Sequence, residues 1–202
     1  MLYLRAEKVE SIFWLAVDVV GALALFSAGI LGLATWRAEG APRNGTLYWA
    51  LAGFGLVYLA IDERLSLHER GGRWLNDTGF TAPAGVNHTD DLILAVMGLA
   101  GLLMTLSCWR EIAARREVAF PLIGALGLFA IAIAIDMLGP VDGWAPRTEE
   151  GIELVACLLT LVALGRRFAL SPSGGLAPAW PWMRRMLPPA PAPSAIEQER
   201  LQ

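Results

Sequence analysis

A chain of 202 residues that is 55% hydrophobic and only 17% charged falls outside the range of soluble domains, where about a quarter of residues carry charge. A net charge of −3, with no basic run interleaved with aromatics, excludes nucleic acid as a natural partner. Cys108 and Cys157, the two cysteines, sit at different depths of apolar stretches, which excludes a disulfide framework and a cysteine-based zinc site.

Several apolar windows have the length of a bilayer crossing. The sequence therefore predicts an all-α integral membrane bundle of about five transmembrane helices within 1–170. The first span covers 11–36, interrupted only by Asp18, and is too long for the core of a cleaved signal peptide. Pro42 and Asn44-Gly45 then mark a turn. The second span covers 46–70: it is apolar up to Ile61, meets Asp62-Glu63 and keeps helical composition until Gly71-Gly72, read here as its end. The third covers 90–110, preceded by His88-Thr89, and the fourth 118–138, with Pro121 tolerated in its first turn. The fifth covers 148–166, with Thr148 as its N-cap and Arg166-Arg167 as its stop. The remainder, 171–202, holds seven of the 12 prolines and reads as a flexible tail on the headgroups, anchored by Trp180 and Trp182.

Charge sets the orientation. With five helices, the face carrying the tail has ten Lys/Arg against five acids, and the other face six against fourteen. Basic residues favour the cytoplasm, so the N-terminus is expected outside and the C-terminus inside.

Depth separates the acids of the outer half from an ordinary solvated surface. The uninterrupted apolar run of the fifth helix, 154–164, has eleven residues. It covers roughly 16 Å, about half of a hydrocarbon core of about 30 Å. The helix can span only if Glu149, Glu150 and Glu153 enter the membrane, with Glu153 roughly 20 Å above Arg166. The same measure puts Asp62 roughly 24 Å above Thr46. A carboxylate at mid-helix costs about 2.5–3.5 kcal/mol on insertion scales, so each should face a partner or water. On a continuous helix Asp62, Ser66 and Glu69 share one face, as do Glu149, Glu150 and Glu153. His88 and Asp91 share a face at the start of the third helix, and Asp136 ends the fourth near the same level.

No Lys or Arg falls in the deep part of this layer, so protons, a bound cation or a structural polar network must hold it. Mixed carboxylate and imidazole ligands favour a divalent metal ion of the Zn, Mn or Fe kind over Ca or Mg. The expected ligands are Asp62, Glu69, His88, Asp91, Asp136, Glu149 and Glu153, with Glu63 and Glu150 as general bases for a metal-bound water. His68, on the charged extension of the second helix, reads as interfacial, and Glu69 has Arg73 as a competing partner. The chemistry expected is metal-dependent hydrolysis of a lipid-like or small-molecule substrate at the outer leaflet. The alternatives are a small proton or cation transporter and a non-catalytic accessory subunit of a membrane complex. Small residues such as Gly21, Gly53, Gly55, Gly98, Gly101, Gly124 and Gly127 permit close helix contact, with a membrane-protein partner or a second copy as well as within the chain.

The string Asp62-Glu63, four residues, His68-Glu69 resembles small multi-pass bacterial membrane proteins with a D-E-x-x-x-x-H-E signature. The resemblance implies a bacterial inner-membrane location and no activity. Alkaline ceramidase-like membrane hydrolases hold zinc with three histidines in seven helices, a pattern from which two histidines and five helices depart.

Overall fold

The computed structural model describes residues 2–39, 44–83, 86, 88–138 and 145–171. The predicted tail beyond 171 and the turns at 40–43 and 139–144 lie outside them. Among the described residues the chain is all-helical, with seven helices and no strand. In order these are α1 (Leu2–Glu39), α2 (Asn44–Leu65), α3 (Leu67–Asp77), α4 (Thr89–Ser107), α5 (Trp109–Ala113), α6 (Arg116–Leu138) and α7 (Ala145–Ala169).

Three of them are long and apolar enough to cross a membrane: α1 over Ile12–Glu39, α4 and α6. Helices α2 and α7, of 22 and 25 residues, match them in length but carry charge, α2 at its end and α7 at both ends. The bundle is built on α1, which packs along α2 and α7; α6 packs along α7, and α4 leans on α6 and α3. The interior is made mostly of small side chains, among them Ala24, Ala28, Ala156 and Ala163, with Tyr48, Trp49 and Leu164 as its larger members. Large apolar groups such as Leu23, Phe54, Val96, Leu103 and Phe120 point outward instead. An apolar coat over an alanine-rich interior suits a hydrocarbon solvent, in which helices gain from close contact and not from hiding their leucines.

The tightest contact joins α1 to α2. A Cβ added at Gly29 would lie 2.8 Å from the Gly53 carbonyl oxygen and 2.9 Å from the Val57 nitrogen, and one at Gly32 would meet the Gly53 Cα at 3.1 Å. Gly53 thus has the role expected of it, whereas Gly55, Gly101 and Gly127 have open space where a Cβ would go.

Several boundaries differ from the sequence reading. The segment 46–70 is not one helix, because Ser66 adopts a left-handed conformation (φ 47°, ψ 51°) and restarts the chain as α3. Gly71-Gly72 do not end a helix but lie inside α3, where the missing Cβ of Gly72 admits the Asp90 backbone nitrogen at 2.8 Å from its would-be position. The third span stops at Ser107, α5 following as a separate short helix. The last helix begins at Ala145, so Thr148 is internal and not its cap. Because α6 begins at Arg116, Pro121 also lies beyond the first turn.

Candidate functional site

The site begins at the break between α2 and α3. Asp62, 2% exposed, projects from the last turns of α2. One carboxylate oxygen accepts the His68 backbone N–H at 2.8 Å, and the other contacts His68 Nδ1 at 2.7 Å. The backbone bond satisfies one of the free N–H groups in the first turn of α3, a capping task done here by a residue of the preceding helix. A carboxylate only accepts, so the ring contact places the hydrogen on Nδ1 and leaves Nε2 of a neutral ring as a lone pair. Ser66 completes the junction, its side chain hydrogen-bonded to Glu69. That bond, and then the Arg73 guanidinium 3.3 Å away, holds the Glu69 carboxyl below the usual glutamate range.

Helix α3 is docked on the start of α4 by the Gly72–Asp90 approach and by a 2.6 Å bond from Thr89 Oγ1 to Asn76 Oδ1. His88 precedes α4, and its backbone N–H donates to Asp91 Oδ2 at 3.1 Å. Asp91 is buried, and its carboxyl is hydrogen-bonded to that of Asp136 near the end of α6. Two carboxylates cannot hydrogen-bond each other directly: one must carry a proton, or a cation must take that proton's place.

Helix α7 supplies the third side. The strongest charges acting on Glu149 come from Asp136, Glu150, Asp91 and Glu63, and those on Glu153 from Glu63, Glu149, Asp136 and Glu150. All are negative. Glu63 keeps an accessible surface yet lies within electrostatic reach of Asp18, His68 and Asp62. Glu150 faces Asp18 and Arg147, and its Oε2 is buried without a hydrogen-bond partner.

Glu63, Asp91, Asp136, Glu149, Glu150 and Glu153 thus lie within electrostatic reach of one another in chains of neighbours, with Asp91 and Asp136 in contact and His88 acting on Asp136. Asp62 joins this group through His68, which the sequence had left at the surface. Glu69 lies apart, held by Ser66 and Arg73. Among the described residues no three His, Cys, Asp or Glu are arranged around a common point as metal ligands. The donor set, oxygen-rich with an imidazole beside it and with one buried oxygen unpartnered, fits a hard or borderline divalent cation.

At the opposite end of the bundle the sequence reading missed a buried ion pair. Arg167 of α7 bonds Glu39 at the end of α1, and its guanidinium lies 5.2 Å from the centre of the Trp49 ring. The sequence reading had taken Arg167 only as part of the stop of the last helix and had named no partner for it. For the Asp62–His68 pair a signal did exist, since Ser66-Leu67-His68-Glu69 has the S-x-x-E form of a helix start.

A family model described as a domain of unknown function (DUF8692) matches residues 7–168. No curated protein and no solved structure matches the chain.

Proposed function

The chain belongs to this family, whose description names no activity, and from its own residues we propose a five-span inner-membrane protein with a divalent-cation site opening to the periplasm. The observation that carries the reading is the unbalanced charge. Glu149 and Glu153 feel chiefly other carboxylates, and Asp91 and Asp136 meet carboxyl to carboxyl. In a low-dielectric setting such a group calls for positive charge from outside the chain. Spanning by α2 and α7 is supported by their packing along α1 and their lengths, about 33 and 38 Å at 1.5 Å per residue.

Asp91, Asp136, Glu149 and Glu153 are the proposed ligands, with His88 at the rim. Asp62 has both oxygens engaged by His68, so it acts by orienting that ring, whose Nε2 becomes the second imidazole donor. A bound divalent ion would supply an activated water, and Glu63 or Glu150 would take its proton, which makes hydrolysis at the outer leaflet the reaction class this site supports. A proton relay is the second reading, favoured by the Asp91–Asp136 hydrogen bond. It gains little deeper in the bundle, where Thr160 is bonded to the Ala156 carbonyl, and Thr105 to the Gly101 carbonyl and Tyr48.

Elemental analysis of the purified protein, before and after chelation, tests the reading. One divalent ion per chain is expected, lost in Glu149→Gln/Glu153→Gln. Glu153→Gln alone should lower thermal stability more in metal-containing buffer than in chelator. A metal-free protein whose stability ignores both chelator and Glu153→Gln refutes the site. A cysteine at position 81 should be labelled from outside intact cells and one at 113 only after lysis; the reverse pattern refutes the orientation alone.

A further inference from the structure

Helix α3 is hinged at both ends and thinly held between them. Ser66 before it and Gly79 after it both have left-handed backbone, with φ of 47° and 87°. Among its described residues Gly72 alone is buried, while Arg70, Arg73, Trp74, Asn76 and Asp77 are exposed. Its side-chain attachments sit near its ends. Asp62 of α2 holds His68 by backbone and ring, and Asn76 Oδ1 accepts from Thr89 Oγ1 of α4 at 2.6 Å. Between these latches Gly71 and Gly72 lie against Ile93 and Asp90 of α4. Two residues without side chains fit closely but interlock with nothing, so α3 can leave that surface without repacking it. A helix with so little apolar burial opens locally at a free energy well below that of the whole bundle.

The same helix bridges two sides of the acidic end. At its start His68 acts on Glu63 of α2, and Asp90, against which Gly72 packs, acts on Asp136 of α6. We infer that α3 is a lid over these carboxylates, turning on Ser66 and Gly79, latched to α2 by Asp62–His68 and to α4 by Asn76–Thr89. A few residues at element ends that absorb a backbone change are what such a hinge requires. Opening carries His68 away with α3, while Asp62 and Glu63 stay on α2. It uncovers Asp62, now 2% exposed, and separates the imidazole from the acids. A cation held by His68 Nε2 together with those acids binds the closed state better, and so shifts the equilibrium towards closure. The lid rests on the proposed reading of the acids as the working site and adds its gate, but the hinges and latches need no metal.

The test locks the lid in the full chain, in mild detergent, with Cys108→Ala and Cys157→Ala as background. A Cβ at position 71 would lie 2.8 Å from Ile93 Cδ1, so Gly71→Cys/Ile93→Cys brings two sulfurs within disulfide reach, and shortening Ile93 removes the clash. Two readouts compare the oxidised and reduced forms of this protein. One is modification of Glu149 and Glu153 by a water-soluble carbodiimide, mapped by mass spectrometry. The other is release of Mn2+ to excess chelator, followed by electron paramagnetic resonance. Oxidation should slow both on the order of tenfold, since access then waits on an opening that the crosslink forbids. Asn76→Ala frees the α4 latch and touches no carboxylate. It should raise hydrogen exchange over 67–77 and speed carbodiimide modification about fivefold, the shift in opening that one lost hydrogen bond gives. Equal modification of the oxidised and reduced forms, with the disulfide confirmed, overturns the lid. So does an Asn76→Ala protein whose α3 exchanges faster while Glu149 and Glu153 are modified no faster. Modification slowed by the crosslink in a protein that binds no Mn2+ in either form leaves the lid standing and refutes the cation site.

Discussion

Replacing Asp62 and His68 separately and together isolates the contact on which the α2–α3 junction depends. Asp62 makes two bonds of different kinds, one to the His68 backbone and one to its ring. Asp62→Ala removes both. The capping bond is worth about 1 kcal/mol, and a hydrogen bond involving a charged group about 1.5–3 kcal/mol, so the single variant should lose about 2.5–4 kcal/mol. His68→Ala removes only the ring, because the backbone N–H remains. The coupling between the two substitutions therefore reports the ring contact alone and should be about 1.5–3 kcal/mol. Within the His68→Ala background, Asp62→Ala should still cost about 1 kcal/mol for the lost cap. Reversible unfolding of the four proteins in one detergent, followed by tryptophan fluorescence, gives these energies. Hydrogen exchange over 67–77 should show α3 opening first in Asp62→Ala. Additive effects, within about 0.5 kcal/mol, would refute the dyad as an energetic unit, and unchanged exchange in α3 would refute Asp62 as its cap.

At the α1–α2 crossing, Gly29→Ala should destabilise by about 1–3 kcal/mol, because its Cβ meets backbone atoms that cannot move aside. Gly55→Ala, with open space around it, should be neutral or stabilising by up to about 1 kcal/mol; both follow from the same unfolding assay. Glu39→Gln should cost about 3–5 kcal/mol by leaving Arg167 buried and unpaired, and Glu39→Leu/Arg167→Met should recover much of that loss. Ser66, and after it Arg73, lowers the Glu69 carboxyl. Its contribution to stability should be complete above the unfolded value of about 4.3 and fade as pH falls through the lower folded value. Glu69→Gln should flatten that part of the stability–pH curve, and an unchanged curve refutes the assignment.

The helical class was legible because apolar windows of bilayer length admit few other folds, and α4 and α6 lie close to where those windows put them. What the windows could not show was the break at Ser66. Residues 64–76 have helical composition on both sides of it, and one left-handed residue leaves no trace in hydropathy. The consequence was specific. A continuous helix puts Glu69 on the face of Asp62, whereas the turn at Ser66 reorients α3 so that His68, six residues on, takes that place. The glycines misled for a related reason. Gly71-Gly72 as a helix end and Gly71-Gly72 as a docking surface are the same letters, and only the approach of Asp90 separates the two uses.

Depth counting expected the acids of α2, α4, α6 and α7 at one level, because rise per residue is fixed and the apolar run on α7 is short, and in the structure Glu63, Asp91, Asp136, Glu149 and Glu153 are within electrostatic reach of one another. It could not pair Glu39 with Arg167, which lie at the ends of helices far apart in sequence and look like ordinary flanking charges. That pair bears on the acid layer itself. At one end of the bundle the chain buries a charge by giving it an opposite charge and an aromatic face, Arg167 on Glu39 and Trp49. At the other end the charges acting on Glu149 and Glu153 are those of Asp136, Glu150, Glu63 and their neighbours, while the basic groups act one residue removed, His68 and Arg64 on Glu63, His88 on Asp136 and Arg147 on Glu150. A polar network that served packing alone would be expected to neutralise itself from within, as the first end does. The same chain applies that solution at the first end and not around Glu149 and Glu153, and this contrast is the argument for the cation we propose there.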